Sequence, residues 1–365
     1  MVGIHTQMGE HGHSELKAFR DDAVGLRGLI AIHDTTLGPA AGGTRRYAFE
    51  SEEEAVVDAL RLSRAMTYKY AISGINMGGA KGVIWVEDDD HNSEELYRAY
   101  GRMVDSFGGR FVTGGDVGTD ERELRWINME TDYVLGLPEQ FDHPENYHGG
   151  GLGVIRAMEA CCELEYDGRE LGDLHVTVQG LGDMGSSIVH YLHERGAQIT
   201  VSDIDAERVD EAVDEYGAGT VAPDSVYDVD CDVFAPSALG FVLNDETIPR
   251  LNCDIVCGAA NNQLDDEDRH GRMLQEAGIL YAPDYLANSG RTIDDTDLLR
   301  KGGYKHDRAR AMIDGIADRM VEIGRRAERE ERPTHEIANE LAEERIEAID
   351  RMRPKVHDVR RPELK

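Results

Sequence analysis

The chain has 365 residues, of which 72 are acidic and 39 are basic, so its formal net charge is −33. Such a charge excludes a nucleic-acid partner, because phosphates repel an acidic surface. No apolar run approaches the roughly 20 residues that a membrane helix needs, and the N-terminus lacks the apolar core of a signal peptide, so we expect no membrane partner and a cytoplasmic location.

The acidic residues are spread along the chain and do not form a tail, which disfavours disorder. Adaptation to high salt explains this pattern, because salt screens the repulsion and carboxylates keep the surface hydrated; an ordinary acidic protein is the alternative. The five cysteines lack the paired spacing of zinc sites, so we predict free buried thiols and no bound metal.

The first part of the chain mixes predicted helices and strands. Residues 51–66 have apolar positions at helical spacing after an N-capping serine, and residues 93–107 repeat that pattern. Short β-like runs predict strands at residues 28–33, 71–77, 82–87 and 110–113.

Two of the seven lysines, Lys69 and Lys81, stand close together in one apolar, glycine-rich stretch. Elsewhere the chain mostly uses arginine, which keeps its proton at any physiological pH. Two ammonium groups brought together away from water lower each other's pKa, and such an amine can act as a general base near neutral pH. The stretch therefore predicts a catalytic centre, with solvated surface lysines as the alternative.

Residues 142–153 are rich in Gly, Pro and Asn and predict a linker or hinge. After it, apolar strand-like runs alternate with helical patterns, which predicts a parallel sheet covered by helices on both faces. Residues 307–351 are charged and predict a long helical segment.

A glycine turn follows the first strand of this second part. Gly180 permits the tight turn, Gly182 lets the backbone approach a pyrophosphate, and Gly185 allows close contact between helix and strand. The N-terminus of the next helix, at Asp183 and Met184, supplies N–H groups for phosphate oxygens. The turn therefore predicts a dinucleotide site; a turn that only packs a helix on a sheet is the alternative.

Asp203 ends the following strand, about twenty residues after the glycine turn, at the distance typical of the acidic residue in dinucleotide sites. Its carboxylate would accept hydrogen bonds from the adenosine ribose and repel a 2′-phosphate. The sequence therefore favours NAD over NADP as the cofactor.

With these residues in view, the chain resembles the amino-acid dehydrogenases of the glutamate/leucine/phenylalanine/valine superfamily, and the leucine dehydrogenases most closely. The matching segments span roughly residues 28–350 in the same order. They are HDTTLGPAAGGTR (33–45), SEEEAVVDALRLSRAMTYK (51–69), NMGGAKGVI (76–84), GGDVGT (114–119), VQGLGDMG (178–185), CDVFAPSALG (231–240), LNDETIP (243–249), GAANNQL (258–264) and YAPDYLANSG (281–290).

This resemblance implies reversible oxidative deamination, in which an L-amino acid, NAD and water give a 2-oxo acid, ammonia and NADH. It also implies an α/β fold of two domains, an N-terminal α/β catalytic domain and a doubly wound Rossmann NAD-binding domain separated by a cleft. We expect the substrate-binding, catalytic and oligomerisation domain at 1–147, the Rossmann domain at 148–330, and a C-terminal helical segment returning to the first domain at 331–365. The implied partners are the small-molecule substrates and further copies of this chain in a homo-oligomer.

Individual residues acquire implied roles from the same resemblance. Lys69 would anchor the α-carboxylate, Lys81 would activate the attacking water, and Asp116 would shuttle protons to and from the amine. The other implied substrate-binding residues are Ala41, Gly42, Gly43, Gly114, Asn262, Asn288, Thr292 and Asp295. The implied cofactor-binding residues outside the glycine turn and Asp203 are Ala235, Ala260 and Asn262. An ordinary turn or helix cap is the alternative for Asp116 and Asn262.

The substrate pocket departs from its relatives at several positions. Ala41 stands where glutamate dehydrogenases carry the lysine that grips a second carboxylate, so glutamate is disfavoured. Ala41 and Gly114 are expected to enlarge the pocket, whereas Thr292 and Asp295 are expected to make it more polar. We therefore predict a weakened preference for leucine, with larger or more polar side chains admitted.

Two further departures bear on activity. Gly150 replaces a threonine whose hydroxyl meets the nicotinamide in the family, and we expect a looser hinge there. Arg291 adds a charge that is expected to pair with Asp294 or Asp295, or to meet a substrate group. These departures leave an alternative open, a catalytically weak NAD-binding homologue that acts as a sensor or regulatory subunit; another oxidoreductase on the same scaffold is a third.

Overall fold

The computed structural model describes residues 3–88, 91–144 and 147–352. The elements up to residue 128 are α1 (Ile4–Glu10), β1 (Glu15–Asp21), β2 (Leu26–Asp34), β3 (Ala40–Tyr47), α2 (Glu52–Ile72), β4 (Gly78–Trp85), α3 (Glu94–Asp105), β5 (Phe111–Gly114) and α4 (Glu121–Asn128). The elements from residue 149 onward are α5 (Gly149–Glu165), β6 (His175–Gln179), α6 (Asp183–Arg195), β7 (Gln198–Ser202), α7 (Ala206–Tyr216), β8 (Gly219–Thr220), β9 (Val233–Pro236), β10 (Ile255–Val256), α8 (Glu267–Glu276), β11 (Leu280–Tyr281), α9 (Asp284–Ala287), α10 (Gly290–Asp297), α11 (His306–Glu330) and α12 (Thr334–Met352).

The first five strands form one mixed sheet in the order β1-β2-β4-β3-β5. The pairs β1–β2 and β2–β4 are antiparallel, whereas β3 runs parallel to both β4 and β5. Helix α2 begins at an N-capping Ser51, whose hydroxyl accepts a hydrogen bond from the Glu54 N–H at 3.1 Å, and packs on β2 and β4. This packing brings Lys69, near the end of α2, to the side of the sheet where β4 carries Lys81.

The remaining six strands form a second sheet in which every pairing is parallel. Its order, β11-β10-β9-β6-β7-β8, reverses direction between β6 and β9. This is the doubly wound arrangement, in which ligands bind outside the carboxyl ends of the strands at the reversal. The glycine turn that follows β6 lies at that point.

Helix α12 returns to the first sheet and packs against α2. The Arg345 guanidinium donates hydrogen bonds to the carbonyls of Ala71 and Ile75, at 3.2 and 2.9 Å. Tyr68 donates to Glu343 at 2.6 Å. Helix α12 thus adds hydrogen bonds at the C-terminal end of the helix that carries Lys69 and in the turn after it.

The structure confirms the strands predicted at 28–33 and 110–113, and β4 includes the first residues of the run predicted at 82–87. The strand predicted at 71–77 is wrong, because α2 continues to Ile72 and a turn then leads into β4. The linker predicted at 142–153 is wrong in its last part, because α5 begins at Gly149. Residues 145 and 146 of that segment, and residues 353–365 of the predicted C-terminal segment, lie outside the described residues.

The five cysteines are free, and all but Cys253 are buried. Burial raises the pKa of Cys253 to about 12, so this thiol stays protonated and unreactive at neutral pH. Among the helices in the described ranges, none is long and apolar enough to cross a membrane.

Candidate active site

A cavity of about 1060 Å³ lies between the two sheets and is lined from both sides. The predicted site residues on its wall are Gly42, Gly43, Lys69, Lys81, Gly114, Asp116, Asp183, Met184, Asn262, Asn288, Thr292 and Asp295. Ala41 is fully buried in the core cluster that contains Tyr70 and Leu135, and is not on the wall. The structure therefore brings most of the predicted substrate residues together.

Lys81 and Asp116 form a close ion pair in this cavity. Lys81 projects from β4 and is 5% exposed, and its Nζ lies 2.9 Å from Oδ2 of Asp116. Arg45, on β3, contacts the same oxygen through Nε at 2.8 Å, and Arg45 in turn contacts Asp58 at 3.0 Å. One carboxylate oxygen thus holds two cations, and a second carboxylate balances the arginine.

The pKa values of this pair follow from burial and neighbouring charge. Burial lowers the pKa of the Lys81 ammonium, Asp116 opposes that effect, and the net direction is downward. Burial acts to raise the pKa of Asp116, but Lys81 and Arg45 outweigh it and hold the pKa below its usual range. Asp116 therefore stays ionised, while Lys81 loses its proton more readily than a lysine in water.

Lys69 reaches across the cavity from the end of α2. It is 9% exposed, and its Nζ donates to the Asn261 side-chain oxygen at 3.4 Å. Asn288 donates to the same oxygen at 2.8 Å and to the Ala259 carbonyl at 3.1 Å. A contact between the two halves of the molecule thus holds Lys69 in place.

Burial lowers the pKa of Lys69 to about 8, with Asp284 opposing and Lys81 adding to the effect. The sequence led us to attribute lowered lysine pKa values to mutual repulsion, but removal from water is the larger cause at both lysines. A substrate carboxylate beside Lys69 would restore its charge.

The predicted dinucleotide turn lies at the mouth of this cavity. Gly180 has φ +95°, a left-handed conformation that glycine adopts without strain, and a Cβ at Gly185 would stand 1.9 Å from the Gly180 carbonyl oxygen. Helix α6 starts at Asp183, and within the described chain no side chain caps its first N–H groups. These free N–H groups at a helix N-terminus fit a pyrophosphate.

Asp203 lies beside the turn, at the end of β7. Its Oδ2 accepts from the Leu181 N–H at 2.5 Å, and its Oδ1 accepts from the Asp205 N–H at 2.9 Å. Burial acts to raise its pKa, but these N–H donors outweigh burial and the pKa falls below its usual range. The carboxylate is held charged where a ribose is expected. Ala235 and Ala260 are buried behind the turn and do not line the cavity.

Gly150 lies in the first turn of α5, where three consecutive glycines are buried. A Cβ at Gly150 would stand 2.5 Å from the Met184 sulfur. A larger residue at Gly150 would require the flexible Met184 side chain to move, and the looser hinge stays a prediction.

Sequence reasoning missed three polar residues of the site. Arg45 holds Asp116, Asn261 contacts Lys69, and the buried carboxyl of Asp284 contributes charge beside Lys69. Each of them lies within a segment already matched to the family, so the signal was present without an assigned role. Asn262, which we predicted at the substrate or nicotinamide, lines the cavity in a left-handed conformation with φ +52°.

The chain is similar to known proteins over nearly its whole length. The pattern described as "Glu/Leu/Phe/Val dehydrogenase, dimerisation domain" matches residues 13–133, and "Glutamate/Leucine/Phenylalanine/Valine dehydrogenase" matches residues 145–293. The chain is 43% identical to a leucine dehydrogenase of Thermoactinomyces intermedius over 351 residues, 96% of this chain and 95% of that protein. It is 41% identical to an L-tryptophan dehydrogenase of Nostoc punctiforme over 346 residues, 95% of this chain and 97% of that protein.

Solved structures agree with these matches. The crystal structure of the L-tryptophan dehydrogenase from Nostoc punctiforme superposes with a TM-score of 0.82 at 40% identity, covering 95% of this chain and 99% of that chain. A glutamate dehydrogenase from Thermus thermophilus, at 23% identity and a TM-score of 0.76, covers 96% of this chain and 95% of that chain and shares the fold.

Proposed function

The chain belongs to the glutamate/leucine/phenylalanine/valine dehydrogenase family and is an amino-acid dehydrogenase, and we propose that its cavity carries out the reversible, NAD-dependent oxidative deamination of an apolar L-amino acid. The observation that carries this proposal is the Lys81–Asp116 contact at 2.9 Å in the same cavity as Lys69. An amine of lowered pKa beside an ionised carboxylate can transfer protons to and from groups that react at a carbon–nitrogen bond.

In the proposed reaction, the Lys69 ammonium binds the substrate α-carboxylate and so orients Cα in the cavity. Bound NAD would accept the hydride from Cα. Lys81, in its neutral form, accepts a proton at Nζ from the water that attacks the imino carbon. Asp116 stabilises the positive charge that Lys81 then carries, and protons pass through this pair to the departing amine as ammonia forms.

The features of the glycine turn support NAD as the cofactor. The uncapped N–H groups of α6 suit its pyrophosphate, and Asp203 suits a ribose with both hydroxyls free. We propose two domains with the boundaries expected from the sequence, and a homo-oligomer, which the match to a dimerisation domain supports.

Asp203 should set the choice between NAD and NADP. We expect Asp203→Asn to raise the ratio of kcat/KM for NADP to that for NAD by about tenfold, because the amide no longer repels a 2′-phosphate yet still accepts a backbone N–H. Initial rates with each cofactor measure this ratio. Asp205→Asn, which keeps its own helix cap, is the control, and an equal change in both variants would contradict the assignment.

Titration of Lys69 should lower kcat/KM at alkaline pH. Burial lowers its pKa to about 8, so its charge is present below that pH and is lost as the pH rises through it. We expect kcat/KM to fall above about pH 8, by up to tenfold per pH unit, in the wild type but not in Lys69→Arg, which stays charged. Titration of the substrate amine affects both proteins, so their ratio is the readout; a ratio independent of pH would contradict the role.

A rate screen tests the proposed function. Formation of NADH from a panel of L-amino acids at high salt is expected, together with consumption of NADH that requires both ammonia and a 2-oxo acid. Consumption without ammonia would indicate a 2-hydroxy-acid enzyme. The alternative of a sensor or regulatory subunit is not supported, because the relatives described above are dehydrogenases and the match to this chain covers nearly their whole length.

A further inference from the structure

A carboxylate faces the part of the cavity that the substrate side chain must enter. Asp295 projects from α10, and a Cβ at Gly136, on the opposite wall, would stand 3.9 Å from its Oδ1. Lys69 and the Lys81–Asp116 pair occupy the region where the α-carboxylate and Cα are bound under the proposed function. The side chain therefore extends toward the wall formed by Gly136, Thr292 and Asp295.

This carboxylate has no close partner of its own. Within residues 3–88, 91–144 and 147–352, we find no donor hydrogen-bonded to Asp295. The nearest cation is the Arg291 Nε, 4.0 Å from Oδ2, and the Arg291 side chain is 61% exposed against 27% for Asp295. The adjacent Asp294 differs, because it accepts hydrogen bonds from Tyr147 and Tyr304, at 3.3 and 3.1 Å.

A partly buried carboxylate without a donor carries a cost, which a ligand can relieve. Burial raises the pKa of Asp295 to about 6, against the opposing charge of Arg291, so the group is ionised at neutral and alkaline pH. Leu135 and Pro138 add apolar surface to the cavity wall, and the Tyr70 phenol lies close enough to Asp295 to interact with its charge. The cavity thus presents an acceptor on a largely apolar part of its wall.

We propose that Asp295 selects an L-amino acid whose side chain carries an N–H donor at its far end. This inference rests on the proposed reaction and replaces a purely apolar substrate side chain with one that ends in an N–H donor. The donor has two chemical sources, the ammonium of a basic side chain and the neutral N–H of an indole. Leucine and other purely aliphatic side chains leave the carboxylate unpaired and are poorer substrates.

Matched substrate pairs test the proposal. The pairs are L-tryptophan with its benzothienyl analogue, in which sulfur replaces N–H, and L-lysine with L-norleucine. We expect the wild type to prefer the N–H member of at least one pair by about tenfold or more in kcat/KM. Asp295→Val should lower kcat/KM for the N–H member by about 10- to 100-fold and leave kcat/KM for its apolar partner unchanged or raised.

Asp295→Asn separates the two sources, because its amide oxygen still accepts from an indole but cannot neutralise an ammonium. Retained tryptophan turnover identifies the indole, and loss of lysine turnover identifies the ammonium. Asp210→Val, at an exposed position of α7, is the control. Both Asp295 variants should keep or raise the melting temperature, since they remove a partly buried charge that has no close partner.

Three results would overturn the inference: equal or better turnover of the apolar member in both pairs, equal effects of Asp295→Val on both members, or L-glutamate as the best substrate, which would assign recognition to Arg291. If no amino acid is oxidised at all, the proposed function fails. Titration calorimetry of the same pairs against the wild type and Asp295→Val then decides the inference separately, because it measures binding without turnover.

Discussion

Replacing Lys81 with alanine is expected to lower kcat by about 10³-fold, within the range of general acid–base catalysis. The side chain is 5% exposed and its Nζ lies 2.9 Å from Asp116, so the substitution removes the amine of this pair. KM for the amino acid should change by less than about threefold, because Lys69 still binds the α-carboxylate. Stopped-flow and steady-state rates of NADH formation separate these two parameters.

Lys81→Arg sharpens this test. Arginine preserves the positive charge but does not give up its proton, so it should be as inactive as alanine if proton transfer is the role. Lys301→Ala, at an exposed lysine, is the matched control. Near-normal kcat in Lys81→Arg would mean that Lys81 acts only as a fixed charge.

Removing the Asp116 carboxylate is expected to lower the free energy of unfolding by about 3 kcal/mol, because it leaves buried cations without their counter-charge. The estimate is at the lower end of the usual range since the Asp116 side chain is 22% exposed. Lys81 and Arg45 both contact its Oδ2. Turnover should fall as well, since the pair proposed to pass protons is broken.

The pH dependence of this loss has a defined sign. The folded-state pKa of Asp116 lies below its ordinary value of 3.8, so its stabilising contribution is present above that value and is lost as the pH falls through the folded-state pKa. Urea unfolding of Asp116→Ala and wild type should therefore differ at pH 7 and converge in acid. Asp132→Ala, at an exposed position, is the control; a difference that persists in acid would point to a cause other than charge.

Helical periodicity, caps and the glycine turn were enough to predict the α/β class, the parallel second sheet and several of the longer helices. Residues 71–77 show the limit of prediction from periodicity, because an apolar run of that length is compatible with a buried helix end as well as with a strand. The short strands β8, β10 and β11 contain two residues each, and their register depends on neighbouring strands that lie far away in sequence.

The candidate site also contains residues that the sequence predicts and residues that it does not. Lys69 and Lys81 could be singled out because lysine is rare in this chain and both stand in one glycine-rich stretch, whereas Asp116 came from the family resemblance. Arg45 and Asn261 could not, since arginine is common in this chain and the partner of each is set only by tertiary packing. The packing of Gly150 against Met184 likewise joins two helices that no local pattern relates.

The contact of Arg345 with the end of α2 has a consequence for biosynthesis. A ribosome releases α2 long before α12, so Arg345 reaches the carbonyls of Ala71 and Ile75 only when nearly all of the described chain has emerged. The end of α2, which carries Lys69, therefore gains these contacts late in synthesis, and a nascent chain that stalls before α12 lacks them.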